Sequence, residues 1–340
     1  MTRRLRAGRG TNLAILTLLS GALVTGTLAT ALGNGWARWP AVVHGVIGLS
    51  LVVIAPWKSV ISRRGYRHRR LRATPSLLLA LLIVVALVAG IAHALGVGEL
   101  GFLPVRALWL HVAAALAAVP LAVWHVAAHK TLPRPTDLSR RAMLRGGAAV
   151  AGGALAYVVS EGAITGLGLP GGDRRYTGSH EAGSFDPAAM PTTIWLNDTR
   201  PAIDAGTHVV DIAAADRHRP WSVPELTAFG DELRATLDCT SGWYAAQDWA
   251  GVRLDRLVEG ATGRSVLVRS VTGYARRFPL ADAPSILLAT HYGGRPLDLG
   301  HGAPVRLVAP GRRGFWWVKW VEAVVVDDVP WWWQPPFPLT

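Results

Sequence analysis

The chain of 340 residues contains one cysteine, Cys239. A single thiol excludes an internal disulfide framework and a zinc site built from several cysteines. Charge is scarce as well: 17% of residues are charged against 51% hydrophobic, an unusual balance for a water-soluble chain. Acidic residues are nearly missing from the first half. Residues 1–170 hold 3 Asp and Glu beside 18 Lys and Arg, whereas 171–340 hold 19 beside 17. The net charge of +13 therefore belongs to the apolar half. Basic residues set between long apolar runs fit the cytoplasmic loops of a membrane protein and argue against a nucleic-acid partner.

Four runs, 13–32, 40–57, 76–95 and 107–128, contain no Asp, Glu, Lys or Arg. Each approaches the about 20 residues that a helix needs to cross a bilayer core. Arginine-rich stretches precede the first run, join the second to the third, and follow the fourth. The intervening loops carry one Arg each, Arg38 and Arg106. The positive-inside rule then places the N-terminus in the cytoplasm. Next comes Ser139-Arg140-Arg141 with Leu144 and a Gly/Ala-rich, weakly apolar stretch. It resembles a twin-arginine export signal, the alternative reading being another basic flank. In either case residues 138–170 form a fifth span, retained as an anchor, although Ala154-Leu155-Ala156 also reads as a cleavage site. The expected organisation is a four-helix membrane domain over 1–137, the anchor over 138–170, and an extracytoplasmic domain over 171–340 of a multi-pass inner-membrane protein.

Ionisable residues at membrane depth are rare and mostly functional. Here they are His44, His93, His111 and His125, with His68 and His129 near the cytoplasmic side. Fourteen residues separate His111 from His125 on one helix, which returns them to nearly the same face roughly 21 Å apart. These histidines are candidate axial ligands for one or two b-type haems. Gly45 and Gly48, close to His44, would let a flat macrocycle approach. The bundle resembles the four-helix cytochrome b type membrane subunits, which implies electron exchange with a membrane quinone.

From about residue 190, short apolar runs alternate with Gly-, Pro- and Asp-rich turns, the pattern of a mainly β (α+β) domain. Three stretches, LDCTSGWYAAQDWAGVRLDRLV, VRSVTGYARRFPL and GHGAPVRLVAPGRRGFWWVKWVEAVVV, together resemble the sulfite oxidase fold family of molybdopterin-dependent oxidoreductases. The resemblance covers roughly 177–328, and the third stretch is its most specific part. It implies a molybdenum–molybdopterin cofactor with Cys239 as the catalytic thiolate ligand to the metal. A soft thiolate suits such a centre on chemical grounds too. The resemblance further implies that Arg306 and Lys319 hold the pterin phosphate, that His301 and the Trp317 backbone contact the cofactor, and that Thr272 or Ser270 adds a polar contact. Upstream, YTGSHEAGS resembles the segment that wraps the pterin, giving Thr177, His180 and Glu181.

Two departures bear on substrate. Animal and plant members place extra arginines around the anion, including directly after the cysteine, whereas Thr240, Ser241 and Gly242 follow Cys239 here. A small oxyanion and an S-oxide or N-oxide both stay open as substrate. Little chain follows the last matching strand, which implies a monomeric catalytic unit. The tail PWWWQPPFPLT suits either a membrane interface or packing on the domain. The competing readings are a cofactor-free binding or sensory module, and a membrane cytochrome whose outer domain docks an electron carrier.

Overall fold

Hydrocarbon offers no partner for backbone N–H and C=O groups, so apolar runs that enter it must be helical. A computed structural model describes residues 8–68, 74–98, 106–128, 134, 137, 139–195, 198–214 and 217–338, and of 63–68 the backbone alone. His129 and the His68 side chain lie outside the described residues. The chain divides into two compact units, Met1–Ala29 with Gly35–Gly178 and Thr30–Asn34 with Ser179–Thr340.

The first unit contains helices α1 (Arg9–Ala31), α2 (Arg38–His68), α3 (Thr74–Ala94), α4 (Ala107–Ala128) and α5 (Arg140–Gly166). All five are long and apolar enough to cross a membrane. Large apolar side chains such as Val88, Val123, Leu155 and Val158 point outward, as lipid-facing residues must. Inside, small residues let the helices approach closely. A Cβ on Gly153 of α5 would collide with Ser50 and with the Val46 carbonyl of α2. A Cβ on Gly45 of α2 would meet the Tyr157 ring of α5 at 2.6 Å. The notch at Gly45, expected to receive a macrocycle, is therefore filled by a tyrosine.

The second unit is a mixed α+β domain built on two sheets. Its strands are β1 (His180–Glu181), β2 (Val209–Ala214), β3 (Arg217–Ser222), β4 (Asp231–Asp238), β5 (Trp243–Arg253), β6 (Ser265–Ser270), β7 (Ala275–Pro279), β8 (Leu287–Tyr292), β9 (Arg295–Pro296), β10 (Arg306–Val308) and β11 (Val321–Asp327). One sheet runs β1-β5-β8-β10, with β4 on β5 and β9 on β8; the other runs β3-β2-β11-β6-β7. Along β5 the even pleat is visible in the burial: Trp243, Ala245, Gln247 and Trp249 face the core, and the residues between them are more exposed. Helix α6 (Val223–Ala228) starts at a capping box formed by Ser222 and Glu225, and α7 (Leu254–Leu257) is a single turn. The core between these elements is rich in aromatics, with Trp249, Tyr292, Phe278 and Trp320 almost fully enclosed.

Candidate functional site

The site begins at the hairpin between β4 and β5, whose register pairs Asp238 with Tyr244. Cys239 is the first residue past β4. Its N–H donates to the Trp243 carbonyl at 2.8 Å, and its own carbonyl accepts from Gly242 N–H at 3.1 Å. Gly242 closes this turn at φ 91°, a conformation that favours glycine. The thiol lies 3.1 Å from the Ser241 hydroxyl, and Cys239 is 8% exposed.

A buried ion pair fixes this turn from behind. Arg313 donates to Asp238 Oδ1 at 2.5 Å, to the Cys239 carbonyl at 3.1 Å and to Ser179 Oγ at 3.3 Å. Both side chains of the pair are 3% exposed. The next residue must be small, because a Cβ on Gly314 would stand 3.1 Å from the Cys239 Cα.

Cys239 lines a half-open cleft with about 460 Å³ of empty space. The other walls are Thr193, Ile194, Trp195, Asp198, Thr240, Tyr274, Gly314, Phe315, Trp317, Lys319 and Trp320. Two cations flank the thiol within electrostatic reach. Arg306 is 1% exposed; its Nη1 donates to the His301 carbonyl at 2.9 Å, and its Nε has no partner. Its guanidinium lies 5.1 Å from the Trp249 ring centre and 5.6 Å from that of Trp317. Lys319 Nζ donates to the carbonyls of Thr193, at 2.9 Å, and Gly300. Among the described residues neither cation forms an ion pair with a carboxylate. Desolvation pushes Arg306 down to about 10. Desolvation and then the nearby Arg306 push Lys319 down to about 7.

Both cations hang from one short turn. Asp298 caps it, accepting from His301 N–H at 2.8 Å, and holds the His301 ring through Nδ1 at 2.8 Å. Tyr292 donates to the same carboxylate at 2.7 Å. Burial alone would raise the Asp298 pKa, but the bonds from Tyr292 and His301 outweigh it and hold the carboxyl at about 2. The other ring nitrogen of His301 faces the Met190 carbonyl at 3.1 Å. Desolvation lowers the His301 pKa, Asp298 opposes this, and Arg306 and Lys319 add to it.

Among the described residues, a buried arginine and a half-buried lysine without a carboxylate, an unpartnered Arg306 Nε, and a thiol at the cleft wall fit an anionic cofactor that needs one thiolate ligand. The structure thus brings together Cys239, His301, Arg306, Trp317 and Lys319. Trp317 is buried, donating from its indole to the Arg312 carbonyl at 3.2 Å and from its backbone to Gly314 at 3.0 Å. Thr272 pairs with Ser270 at 3.1 Å in the turn after β6, and Tyr274 is the residue of that hairpin that reaches the cleft. His180 and Glu181 form β1, parallel to the first residues of β5, with Glu181 accepting from Ser184 N–H at 2.7 Å. Thr177 is half-buried and belongs to the first unit.

Sequence reading did not find Arg313, Asp298, Tyr274, Thr193 or Trp195. Arg313 lies in plain view within PGRRGF, but nothing there distinguishes it from Arg312, which pairs instead with Asp282. Asp298 had a readable signal in DLGHG, an N-cap residue followed closely by a glycine that ends the turn at φ 104°.

In the first unit His44 and His111 face each other edge-to-face, ring centres 5.7 Å apart. His44 Nδ1 lies 3.0 Å from the Ala22 carbonyl, and His111 Nδ1 lies 2.7 Å from that of Ala86. Gly26 and Gly90 make room for the two rings. His93 Nε2 instead bonds the Gly178 carbonyl at 2.9 Å, and His125 Nδ1 meets Ser76 Oγ at 3.0 Å. Among the described residues no group of three or more His, Cys, Asp or Glu could hold a metal ion.

Residues 197–332 match the model of the oxidoreductase molybdopterin binding domain. The chain is 35% identical over 108 residues to the mitochondrial sulfite oxidase of Rattus norvegicus, covering 27% of this chain and 20% of that protein. It is 28% identical over 136 residues to an Azospira oryzae protein named as a candidate protein-methionine-sulfoxide reductase subunit, YedZ1, covering 37% of this chain and 51% of that one. A solved structure, the sulfane dehydrogenase SoxCD from Paracoccus pantotrophus, matches at 22% identity and a TM-score of 0.36 over 38% of this chain and 40% of that one, too slight to carry an argument. The chain spans about a fifth of the length of the sulfite oxidase it matches. It is a membrane-embedded protein in which a C-terminal, sulfite-oxidase-like molybdopterin oxidoreductase domain follows an N-terminal region of long apolar helices.

Proposed function

We propose that this protein is a membrane-anchored, molybdopterin-dependent oxidoreductase that transfers an oxygen atom at Cys239 outside the cytoplasm. The observation that carries this reading is the sole thiol on the wall of a cleft that Lys319 also lines, with the buried Arg306 within electrostatic reach of the thiol and neither cation paired with a carboxylate among the described residues. Arg306 and Lys319 would hold the pterin phosphate. Cys239 would ligate molybdenum, its turn clamped by Arg313. When bound, the cofactor supplies two-electron oxygen-atom exchange, XO + 2e⁻ + 2H⁺ ⇌ X + H₂O.

The cleft favours an uncharged S-oxide or N-oxide over sulfite. Five of its lining residues are aromatic, and Lys319 is the only cation among them. The neighbouring arginines are engaged: Arg313 with Asp238, Arg312 with Asp282, and Arg276 stacked 4.1 Å from the centre of the Trp316 ring. A dianion would meet a largely aromatic lining with one cation in it.

Electrons would pass through one b-type haem held by His44 and His111 and on to a membrane quinone. Each ring commits Nδ1 to a backbone carbonyl, which leaves Nε2 as the ligand atom. The two ring centres lie 5.7 Å apart, so both would hold the same group, which would supply one-electron transfer when bound. The arginine distribution and the Ser139-Arg140-Arg141 segment support an N-terminus inside and a folded domain exported to the outer face.

Metal analysis and an absorption spectrum on the detergent-purified full chain test this reading. We expect molybdenum near one per chain, lost or weakened in Cys239→Ala, and a dithionite-reducible b-type spectrum. The spectrum should disappear in His44→Ala and in His111→Ala, and survive in His93→Ala and His125→Ala. Molybdenum absent from wild type made in a cofactor-competent host would refute the enzyme reading and leave a cofactor-free binding module, or, with haem present, a membrane cytochrome whose outer domain docks an electron carrier. Molybdenum without haem would remove the proposed electron route.

A further inference from the structure

The tail after β11 has no regular secondary structure, yet it is tied down at every second or third residue. Gln334 bonds both backbone groups of Arg277, accepting from its N–H at 3.0 Å and donating to its carbonyl at 2.8 Å. Arg276 Nη1 donates to the Pro335 carbonyl at 3.1 Å. Phe337 packs on Phe315 with ring centres 5.4 Å apart, and the Trp195 indole donates to the Pro338 carbonyl at 3.1 Å. Trp195 in turn lies 5.9 Å from Phe315. Both Phe315 and Trp195 line the cleft that holds Cys239.

The strap therefore braces one wall of the cleft from outside, while three tryptophans before it, Trp331–Trp333, point to solvent at 37%, 59% and 70% exposure. Trp331 meets the Arg312 guanidinium at 5.7 Å, whereas Trp332 and Trp333 pack on each other. Trp195, Phe337 and Pro338 all fall outside residues 197–332, the part that matches the molybdopterin domain model. A cleft lined by two braced aromatic rings, in which the thiol is 8% exposed, would favour narrow molecules over wide ones.

We propose that Gln334–Pro338 is a selectivity wall: Phe337 and Pro338, braced against Phe315 and Trp195, set the width of the mouth above Cys239 and restrict the site to small free S-oxides or N-oxides, excluding those carried on a folded protein. The inference rests on the reading of Cys239 as the reactive centre, but its test does not require a loaded cofactor. Because Cys239 is the sole cysteine, thiol labelling reports access to this one cleft.

The full chain in detergent, made in a host that cannot synthesise molybdopterin, is labelled with N-ethylmaleimide and with N-benzhydrylmaleimide, which share a reactive ring and differ in bulk. In wild type we expect the bulky reagent to react at least tenfold more slowly. Phe337→Ala should narrow that ratio at least fivefold while leaving the small reagent unchanged, and Trp332→Ala should change neither rate. If Phe337→Ala loosens the whole domain, both rates rise together. Phe337→Leu then decides, with an intermediate ratio expected. Equal rates for both reagents in wild type, or an unchanged ratio in a folded Phe337→Ala or Phe337→Leu, would overturn the proposal. Molybdenum content, measured separately on protein from a competent host, tells a failure of the wall apart from a failure of the enzyme reading.

Discussion

Replacing Arg313 with methionine tests whether the Cys239 turn is held by charge or by packing. The substitution keeps much of the apolar volume but removes the buried Asp238 carboxylate's cationic partner, and takes from the Cys239 carbonyl the Arg313 donor. Removing one partner of a buried ion pair costs about 3–5 kcal/mol. The retained Ser179 hydroxyl, 2.7 Å from Asp238 Oδ1, argues for the lower end, about 3 kcal/mol. For a domain of this size each kcal/mol moves the melting temperature by about 2–4 °C, so the expected loss is about 6–12 °C. Tryptophan fluorescence melts at a fixed scan rate in detergent would measure it, beside Asp238→Asn and the double variant. The double variant should recover about 0.5–3 kcal/mol relative to the sum of the singles. A loss below about 2 °C in Arg313→Met, or strict additivity in the double variant, would refute the claim that this pair fixes the turn.

Sulfate, an anion that does not titrate in this range, should raise the melting temperature of cofactor-free protein more at pH 6 than at pH 9. Lys319 is charged below its pKa of about 7 and loses that charge above it. Without an anion the same lysine should make the domain less stable as pH falls from about 10.5 to about 7. Over that window the unfolded chain binds a proton that the folded one refuses. Lys319→Met should remove both effects in the same melts. Asp298 acts at the other end of the scale: its carboxylate contributes stability above about pH 4 that is lost as pH falls toward about 2. Acid titration of Asp298→Asn, followed by circular dichroism, should lack that part of the acid transition. Gly314→Ala should cost about 1–3 kcal/mol through overpacking against the Cys239 Cα, whereas Gly311→Ala, with nothing within 4 Å but φ 73°, should cost about 1 kcal/mol.

The spans and the two-part organisation were readable because each rests on a strong local signal. Twenty uncharged apolar residues have few fates, and alternating β5 residues announce a half-buried strand. Cys239, Arg306 and Lys319, proposed above to hold the cofactor, stood out only through the pattern around them. What stayed hidden was long-range. Asp238 and Arg313 are 75 positions apart and Trp195 and Pro338 are 143 apart, so no window of sequence contains either pair. The histidines show the same limit. Depth alone left four candidates level, and the choice of His44 with His111 came from helix packing at Gly26 and Gly90. Gly45 was misread as an open notch for the converse reason: a glycine marks a close approach without saying which neighbour arrives.

The contacts of α5 with α2 carry a mechanical consequence. Gly153 sits where only a hydrogen fits against Ser50, and four positions on, Tyr157 fills the notch at Gly45. A helix keyed at two successive turns can neither slide nor rotate by one residue without driving a side chain into its neighbour. The fifth span is therefore a gauge rather than a leash. It fixes the height at which Gly166 ends the helix relative to α2. The keyed stretch also contains Ala154-Leu155-Ala156, so a protease that cut there would have to extract a packed rod first.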